Sequence, residues 1–304
     1  PACPSSRPRP EGRAADTPRR RWPPKEPPRA MATAVEPAPA PAAPVGGSRK
    51  GTGMFNYDHL ELRYDPFPIG LAKPLVDADR YAEMLANYPD RDMFAYLAKV
   101  GHKYSLSEKS NPKAYHDFVQ SKPIWRDFHA MIKSDAFIKG VVDALAERHV
   151  DLGYGKLPTP ARRTRKFVRN LLRGRLDAGR SPLSARFEYS MLPADGGYVI
   201  PHSDSPGKLI TMVVSIVDEG EWDPALGGGT DINKPKDPAL TYNELNRQAR
   251  FDEMDVIDTF EFTPNQGVIF VKTFNSWHSV RPMTGKGSDA MRRTLTINIE
   301  SYDN

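Results

Sequence analysis

The fold is decided by residues 185–204, which read ARFEYSMLPADGGYVIPHSD. The Ala185–Leu192 stretch is typical of a β-strand, and the Gly-containing stretch Ala194–Gly197 predicts a turn. A second extended segment, Tyr198–Ile200, then leads to His202. The chain therefore changes at this point from the helical periodicity of its first half to a succession of short strands.

Further strands are predicted after this stretch, and helices before it. The predicted strands are Lys208–Val217, Gly267–Phe274 and Thr294–Ile299, and the predicted helices are Asp77–Tyr88, Ala114–Gln120, Trp125–Lys133 and Asp135–His149. The Gly227–Thr230 bend lacks the Lys-Ser/Thr ending of a phosphate loop and indicates a close approach of strands. Short strands with Gly and Pro turns suggest a sandwich or barrel. We predict an α+β protein whose helices cover the outer face of one sheet.

Two histidines and one aspartate form the pattern that says most about chemistry. His202 and Asp204 lie two residues apart in an extended segment, so their side chains point the same way. His278 would join them from a facing strand. Two imidazoles and a carboxylate are the ligand set of a facial triad, which leaves open positions on non-haem Fe(II). A His-x-Asp spacing alone also arises in loops, and the other five histidines are better explained as surface or hydrogen-bonded residues.

A cation and a hydroxyl stand at alternating positions of the last predicted strand. Arg292 and Thr294 share one face, and Arg293 shares the other with Leu295. If the outer face of the sheet were exposed to solvent, the apolar Leu295 would face inward and Arg293 with it. If helices cover the outer face, Leu295 can pack against them and Arg292 can face a polar cavity. We predict the second arrangement, in which the guanidinium can grip a carboxylate bidentately. The turn-rich connection from His278 predicts a hairpin that places the Arg292 strand antiparallel beside the His278 strand.

With these elements the sequence resembles the 2-oxoglutarate/Fe(II)-dependent dioxygenases, particularly their prolyl-hydroxylase-like branch. The resemblance covers roughly residues 185–301, with a weaker echo at 64–68, and implies a double-stranded β-helix (jelly-roll, cupin-like) core with N-terminal supporting helices. It implies Fe(II) on the catalytic residues His202, Asp204 and His278. Arg292 and Thr294 would hold 2-oxoglutarate, where the family has Arg-x-Ser. O2 would be the other cosubstrate, ascorbate is a candidate reductant, and the reaction would hydroxylate an unidentified acceptor, small-molecule or peptidyl.

Composition separates the N-terminal part from the rest. Residues 1–44 hold 13 of the 30 prolines, and residues 1–50 hold ten Lys/Arg against four Asp/Glu, so the remainder is close to neutral. We predict a disordered Pro/Ala/Arg-rich tail over 1–53 and one oxygenase domain over 54–304. That domain would consist of a helical support, 54–180, and a jelly-roll core, 181–304. Met31 resembles a translation start, so we hypothesise that residues 1–30 are an upstream extension.

The remaining features bear on location and partners. Cys3 is the only cysteine, which excludes an intramolecular disulfide. The sequence has neither a long apolar run nor a secretory signal, so we expect no transmembrane segment and a cytoplasmic protein. The basic segment Arg162–Arg175 is best explained as a solvated face over a core-packing stripe that includes Phe167 and Val168. Binding to nucleic acid or another anionic surface is the less favoured explanation.

Two matters stay open from the sequence. The interval from Asp204 to His278 is long for the family, and the polar insert Asn233–Asp258 is either a partly helical flap over the site or decoration. The alternative function is a non-redox cupin-like metal-binding or sensing module, which explains the triad but leaves Arg292 and Thr294 as coincidence. A third hypothesis is a peripheral nucleic-acid or membrane-binding protein with a vestigial site.

Overall fold

The computed structural model describes residues 53–153, 164–165, 168–169, 172 and 182–301, all within one compact unit, Ser48–Asn304. The predicted tail, apart from Gly53, and the hypothesised extension lie outside these residues. None of the described helices combines the length and apolar character needed to cross a membrane.

Four helices form close to their predicted positions. They are α1 (Ala78–Ala86), α2 (Pro112–Ser121), α3 (Pro123–Ile132) and α4 (Asp135–Ala146). Helices α2 and α3 begin with proline, whose missing N–H needs no partner in the first turn. The Ser134 hydroxyl accepts a hydrogen bond from the Phe137 N–H and caps α4. Asp77 precedes α1, but its side chain makes no capping hydrogen bond.

The described residues also form twelve strands. They are β1 (Glu61–Arg63), β2 (Ile69–Ala72), β3 (Ala95–Leu97), β4 (Lys103–Ser107), β5 (Leu183–Pro193), β6 (Val199–His202), β7 (Lys208–Ser215), β8 (Thr230–Pro235), β9 (Met254–Phe260), β10 (Gly267–Val271), β11 (His278–Val280) and β12 (Met291–Ser301). Strands β1 to β4 show that the segment predicted as a helical support also contributes strands to the larger sheet.

The strands are arranged in two antiparallel sheets. The larger has the order β1-β2-β10-β7-β12-β5-β4-β3, and the smaller has the order β6-β11-β8-β9. From β5 to β12 the chain passes from one sheet to the other at every step except β8 to β9, which pair within the smaller sheet. This winding is that of a double-stranded β-helix. The predicted α+β class and jelly-roll core are confirmed.

Strand β12 shows how the two faces of the larger sheet are used. Leu295, Ile297 and Ile299 are fully buried in the largest hydrophobic cluster, which also contains Trp125 and Phe128 of α3. Fully burying a side chain of this size stabilises the fold by about 1.5–3 kcal/mol. The helices therefore cover the outer face, as expected, and the polar residues of β12 are left for the space between the sheets.

The predicted hairpin between His278 and Arg292 is wrong. Strand β11 pairs with β6 and β8, whereas β12 pairs with β5 and β7. The connection therefore crosses from the smaller sheet to the larger one. Turn-rich composition marks a change of direction, but it does not specify which sheet the next strand joins.

The polar insert is shorter than its composition indicated. The two ends of Asn233–Asp258 belong to β8 and β9, which pair with each other, so only residues 236–253 leave the sheet. Helical structure there is confined to short 3-10 turns at Pro238–Leu240 and Phe251–Glu253. The partly helical flap is therefore reduced to an irregular loop.

Most of the basic segment Arg162–Arg175 lies outside the described residues. Two members of its predicted apolar stripe are described, and the exposed fractions are 49% for Val168 and 83% for Leu172. These two side chains do not pack in a core, so the expectation of a core-packing stripe is wrong for them. Neither side chain belongs to a described core cluster.

Candidate functional site

His202 and His278 meet on neighbouring strands of the smaller sheet. They are opposite each other in the antiparallel register of β6 and β11, and their ring centroids lie 4.2 Å apart. Side chains that face each other across an antiparallel pair project from the same face of the sheet. His278 therefore comes from an adjacent strand, and the expectation that a facing strand would supply it is wrong.

Asp204 lies just beyond the end of β6 and completes the group. Its φ of 69° is in the left-handed region. The sequence predicts an extended segment from His202 to Asp204, and that prediction is wrong at Asp204. Its Oδ1 lies 3.5 Å from Nε2 of His202, and its Oδ2 lies 3.9 Å from Nε2 of His278. One donor atom from each of the three side chains lies within 4.8 Å of the other two. The structure thus brings together all three predicted metal ligands.

Backbone carbonyls set the proton positions of both imidazoles. Nδ1 of His202 lies 2.9 Å from the Ile200 carbonyl oxygen, and Nδ1 of His278 lies 2.9 Å from the Ser276 carbonyl oxygen. Because a carbonyl can only accept, each neutral ring carries its proton on Nδ1 and keeps a lone pair on Nε2. Both lone pairs are on the atoms nearest Asp204, which is the arrangement a metal ion requires.

The electrostatics of the group favour a neutral His278 beside an ionised Asp204. Burial, together with the nearby His202 ring, lowers the pKa of His278 to about 3. Burial alone would raise the pKa of Asp204, but its contact with His202 and the charge of Lys208 outweigh that effect and hold the pKa well below its usual range. The Asp204 carboxylate is 3% exposed and accepts hydrogen bonds from Lys208 and Thr211.

The loop 236–253 supports the ligand-bearing segments from behind. The Ser203 hydroxyl donates to the Asn243 carbonyl oxygen at 2.6 Å, and the Ala249 N–H donates to the Pro201 carbonyl oxygen at 3.0 Å. On the His278 side, the Trp277 indole N–H donates to the Leu240 carbonyl oxygen at 3.1 Å. Ser203, Pro201 and Trp277 are each adjacent in sequence to a predicted ligand, so the loop supports the backbone on which the ligands lie.

Arg292 and Thr294 lie on the inner face of β12. Arg292 is 5% exposed, and its Nε donates to the Gly228 carbonyl oxygen while its Cζ lies 4.8 Å from the centre of the Phe262 ring. It forms no ion pair with any acidic side chain that the structure describes. Burial lowers its pKa to about 10, so it remains charged at neutral pH. Arg293 points the other way and pairs with Glu221.

Gly228 makes the position of Arg292 feasible. Its φ of +85° is in the region that favours glycine, and a Cβ there would lie 3.2 Å from Cδ of Arg292 and 3.1 Å from Cζ2 of Trp222. The predicted close approach of strands is found at the next residue, where a Cβ on Gly229 would lie 2.7 Å from the Phe260 carbonyl oxygen of β9.

One cavity of about 260 Å³ between the sheets contains the His-Asp-His group and the Arg292 pair. Its walls are mostly polar or charged. The lining residues are Lys103, Arg186, Glu188, Ser190, Leu192, Val199, His202, Asp204, Lys208, Thr211, Val213, Thr230, His278, Ser279, Val280, Arg292, Thr294, Thr296 and Asn298. A metal-binding group and a buried cation in one enclosure can hold a chelating anion between them.

Sequence reasoning missed several charged or hydroxyl residues of this cavity. Among them are Lys103, Arg186, Glu188, Lys208 and Thr211. A signal existed for Glu188, because polar and apolar residues alternate along Ala185–Leu192 and Glu188 falls on the polar face. Lys208 and Thr211 reach Asp204 only through the turn after β6, which the sequence does not specify.

Neither the family models nor the curated proteins contain a match to this chain. Among solved structures, a prolyl-4-hydroxylase of Pseudomonas putida is 13% identical, with 77% of this chain and 92% of that chain covered and a TM-score of 0.39. The non-haem α-ketoglutarate-dependent epimerase SnoN from nogalamycin biosynthesis is 14% identical, with 77% and 78% covered and a TM-score of 0.43. HygX from Streptomyces hygroscopicus, solved with nickel and 2-oxoglutarate, is 7% identical, with 77% and 83% covered and a TM-score of 0.42. At these values the function has to be inferred from the chain's own residues.

Proposed function

We propose that this protein is an Fe(II)- and 2-oxoglutarate-dependent dioxygenase that hydroxylates an acceptor molecule. The observation that carries the proposal is the shared cavity. It contains both the His-Asp-His group and the buried Arg292, whose guanidinium forms no ion pair with a described acidic side chain. A metal site explains the first group, and an anionic cosubstrate explains the second.

The metal would be held by Nε2 of His202, Nε2 of His278 and the Asp204 carboxylate. This donor set suits ferrous iron and leaves the cavity side of the ion open. The two backbone carbonyls on the Nδ1 atoms fix the ring orientations, and Thr211 orients the carboxylate. Both rings would therefore direct Nε2, rather than Nδ1, toward the metal.

The distal carboxylate of 2-oxoglutarate would pair with Arg292, beside the Thr294 hydroxyl. Burial away from water strengthens such a charge-assisted contact, and Gly228 and Phe262 hold the guanidinium in place. When bound, iron, 2-oxoglutarate and O2 would supply oxidative decarboxylation to succinate and CO2, coupled to hydroxylation of an acceptor C–H bond. The enclosing sheets would position the reactants and exclude bulk water.

The second candidate is a non-redox cupin-like metal-binding or sensing module. It uses the same three metal ligands but gives no task to Arg292. A buried guanidinium without an acidic partner is costly unless an anion pairs with it, and this cost favours the dioxygenase.

The test is an anaerobic titration of 2-oxoglutarate into Fe(II)-loaded protein, followed by the weak visible charge-transfer band of an iron-chelated keto-acid. We expect the band in the natural protein and its weakening in Arg292→Ala. Arg293→Ala is the matched control, because it removes the neighbouring guanidinium, which pairs with Glu221 outside the cavity. Iron binding without the band would select the sensing module, and failure to bind iron would refute both.

A further inference from the structure

The cavity contains more charge than iron and 2-oxoglutarate require. Arg186 and Glu188 project into it from β5, Lys103 projects from β4, and Lys208 projects from the start of β7. The side chains of all four are between 15% and 21% exposed, so they are largely withdrawn from water. Buried charges are stable only when they are paired, so each of them needs a partner.

Three of these four charges are satisfied within the protein. Lys103 contacts the Glu188 carboxylate directly, and Nη2 of Arg186 lies 2.6 Å from Oε1 of Glu300. Ser105 adds a further contact to Glu188 at 3.5 Å. Neither pair involves a residue of the proposed metal or cosubstrate site, so both persist when that site is filled.

Lys208 differs because its partner is a proposed metal ligand. Its Nζ lies 2.6 Å from Oδ1 of Asp204. A bound divalent cation draws on the same carboxylate. The charges of that cation, Asp204, the 2-oxoglutarate dianion and Arg292 cancel one another. Lys208 is then left as a single uncompensated positive charge facing the cavity.

The cavity walls suit a small hydrophilic ligand. Ser190, Thr296 and Asn298 supply hydroxyl and amide groups, and no Phe, Tyr or Trp is among the described residues that line the cavity. Stacking of a flat ring is therefore not offered, whereas hydrogen bonding and charge pairing are. Lys208 also acts electrostatically on Glu188, which lines the same cavity.

We propose that Lys208 binds an oxyanionic group of the acceptor, and that the acceptor is a small polar molecule carrying a carboxylate or a phosphate. The inference rests on the proposed function, since it is metal and 2-oxoglutarate binding that leaves Lys208 unpaired. Lys208 is a specificity-determining residue in this scheme. The Lys103–Glu188 and Arg186–Glu300 pairs form the polar wall against which the rest of the acceptor lies.

The experiment uses acetate and phosphate as probes of this site. Protein loaded anaerobically with Fe(II) and saturating 2-oxoglutarate is titrated with each anion against chloride at constant ionic strength, and the midpoint of thermal unfolding is measured. We expect at least one of the two anions to raise the midpoint of thermal unfolding in a saturable manner. The rise should be much smaller for metal-free protein, in which Lys208 is still paired with Asp204. A response to acetate alone indicates a carboxylate acceptor, and a response to phosphate alone indicates a phosphorylated one.

The variants are Lys208→Met and the control Lys272→Met. Lys272 donates to the Glu244 carbonyl oxygen and interacts electrostatically with Asp204, but it does not line the cavity. We expect the apparent anion affinity to fall by at least about tenfold in Lys208→Met and to be unchanged in the control.

Three results would overturn the inference. They are no response to either anion in the loaded natural protein, an equal response in Lys208→Met, and a Lys208→Met protein that cannot be loaded with iron. The last would make Lys208 a positioning residue for Asp204. Failure of the proposed function is separate, because it would show as the absence of the 2-oxoglutarate band in the natural protein before any anion is added.

Discussion

The Thr211 hydroxyl oxygen lies 2.8 Å from Oδ2 of Asp204 and 3.2 Å from Oδ1 of Asn298. All three residues are buried, and they come from β7, the turn after β6, and β12. This contact links the loop that carries the proposed carboxylate ligand to the rigid larger sheet. Asp204 lies in a turn, and its position is therefore fixed by Thr211 and Asn298, which lie in strands.

Thr211→Val should weaken metal binding, because it keeps the shape of the side chain and removes the hydrogen bond to Asp204. Loss of such an outer contact typically lowers metal affinity about ten- to hundredfold. The measurement is competitive Fe(II) binding under anaerobic conditions. Thr296→Val is the control, since Thr296 lines the same cavity but makes none of the hydrogen bonds described for the proposed ligands. Equal iron affinities in the two variants would show that Thr211 does not orient Asp204.

Glu188 should make stability depend on pH. Burial alone would raise its pKa, but the charge and hydrogen bond of Lys103 outweigh burial, so the pKa is lowered from its ordinary value of 4.5. A carboxyl group whose pKa is lowered by folding stabilises the folded state above its unfolded pKa. That contribution is lost as the pH falls from about 4.5 toward the folded value.

We therefore expect the free energy of urea unfolding to fall less between about pH 7 and about pH 3 in Glu188→Gln than in the natural protein. The variant should also be less stable at pH 7, where Lys103 loses its partner. Glu83→Gln, which alters an exposed glutamate of α1, should leave the natural pH dependence in place. An identical decline in Glu188→Gln and the natural protein would mean that the Lys103 contact does not stabilise the fold.

The alternation of side chains between the two faces of a strand carried most of what the sequence could predict. The alternation along 292–299 placed Arg292 inside and Leu295 outside, and the structure confirms both faces because helices cover the outer one. The same rule applied to β5 would have found Glu188. This alternation is a local property of the extended backbone, so it does not depend on which strands pair with each other.

Strand partners and turn conformations could not be predicted in the same way. That β11 lies beside β6, and not beside β12, depends on contacts between segments far apart in sequence. The positive φ of Asp204 occurs at a residue that is not glycine, so nothing in the sequence marks it. Lys208 and Thr211 approach Asp204 through that turn, and they were missed for this reason. The roles of the three ligands stay predictions, although their proximity is observed.

Ser134→Ala should lower stability without touching the site. The Ser134 hydroxyl caps α4 by accepting from the Phe137 N–H at 3.1 Å, and removal of such a cap costs about 1 kcal/mol. Helix α4 packs on the face of the larger sheet that is turned away from the cavity. We expect a lower midpoint of thermal unfolding with unchanged Fe(II) affinity. A change in iron affinity would show that the helical layer is coupled to the metal group.

Gly228→Ala should impair the Arg292 site more than it impairs the fold. At φ +85° an alanine is strained by about 1–3 kcal/mol, and its Cβ would also crowd Cδ of Arg292 and the Trp222 ring. Gly220→Ala is the matched control, because Gly220 has a similar φ of +74° but open space around the added Cβ. Both variants should lose stability in urea unfolding, since both adopt a conformation that alanine disfavours. Only Gly228→Ala should weaken 2-oxoglutarate binding in the anaerobic titration, because only there does the new methyl group displace the guanidinium. If both variants bind 2-oxoglutarate as the natural protein does, the position of Arg292 does not depend on the glycine, and the cosubstrate contact assigned to it would need another anchor.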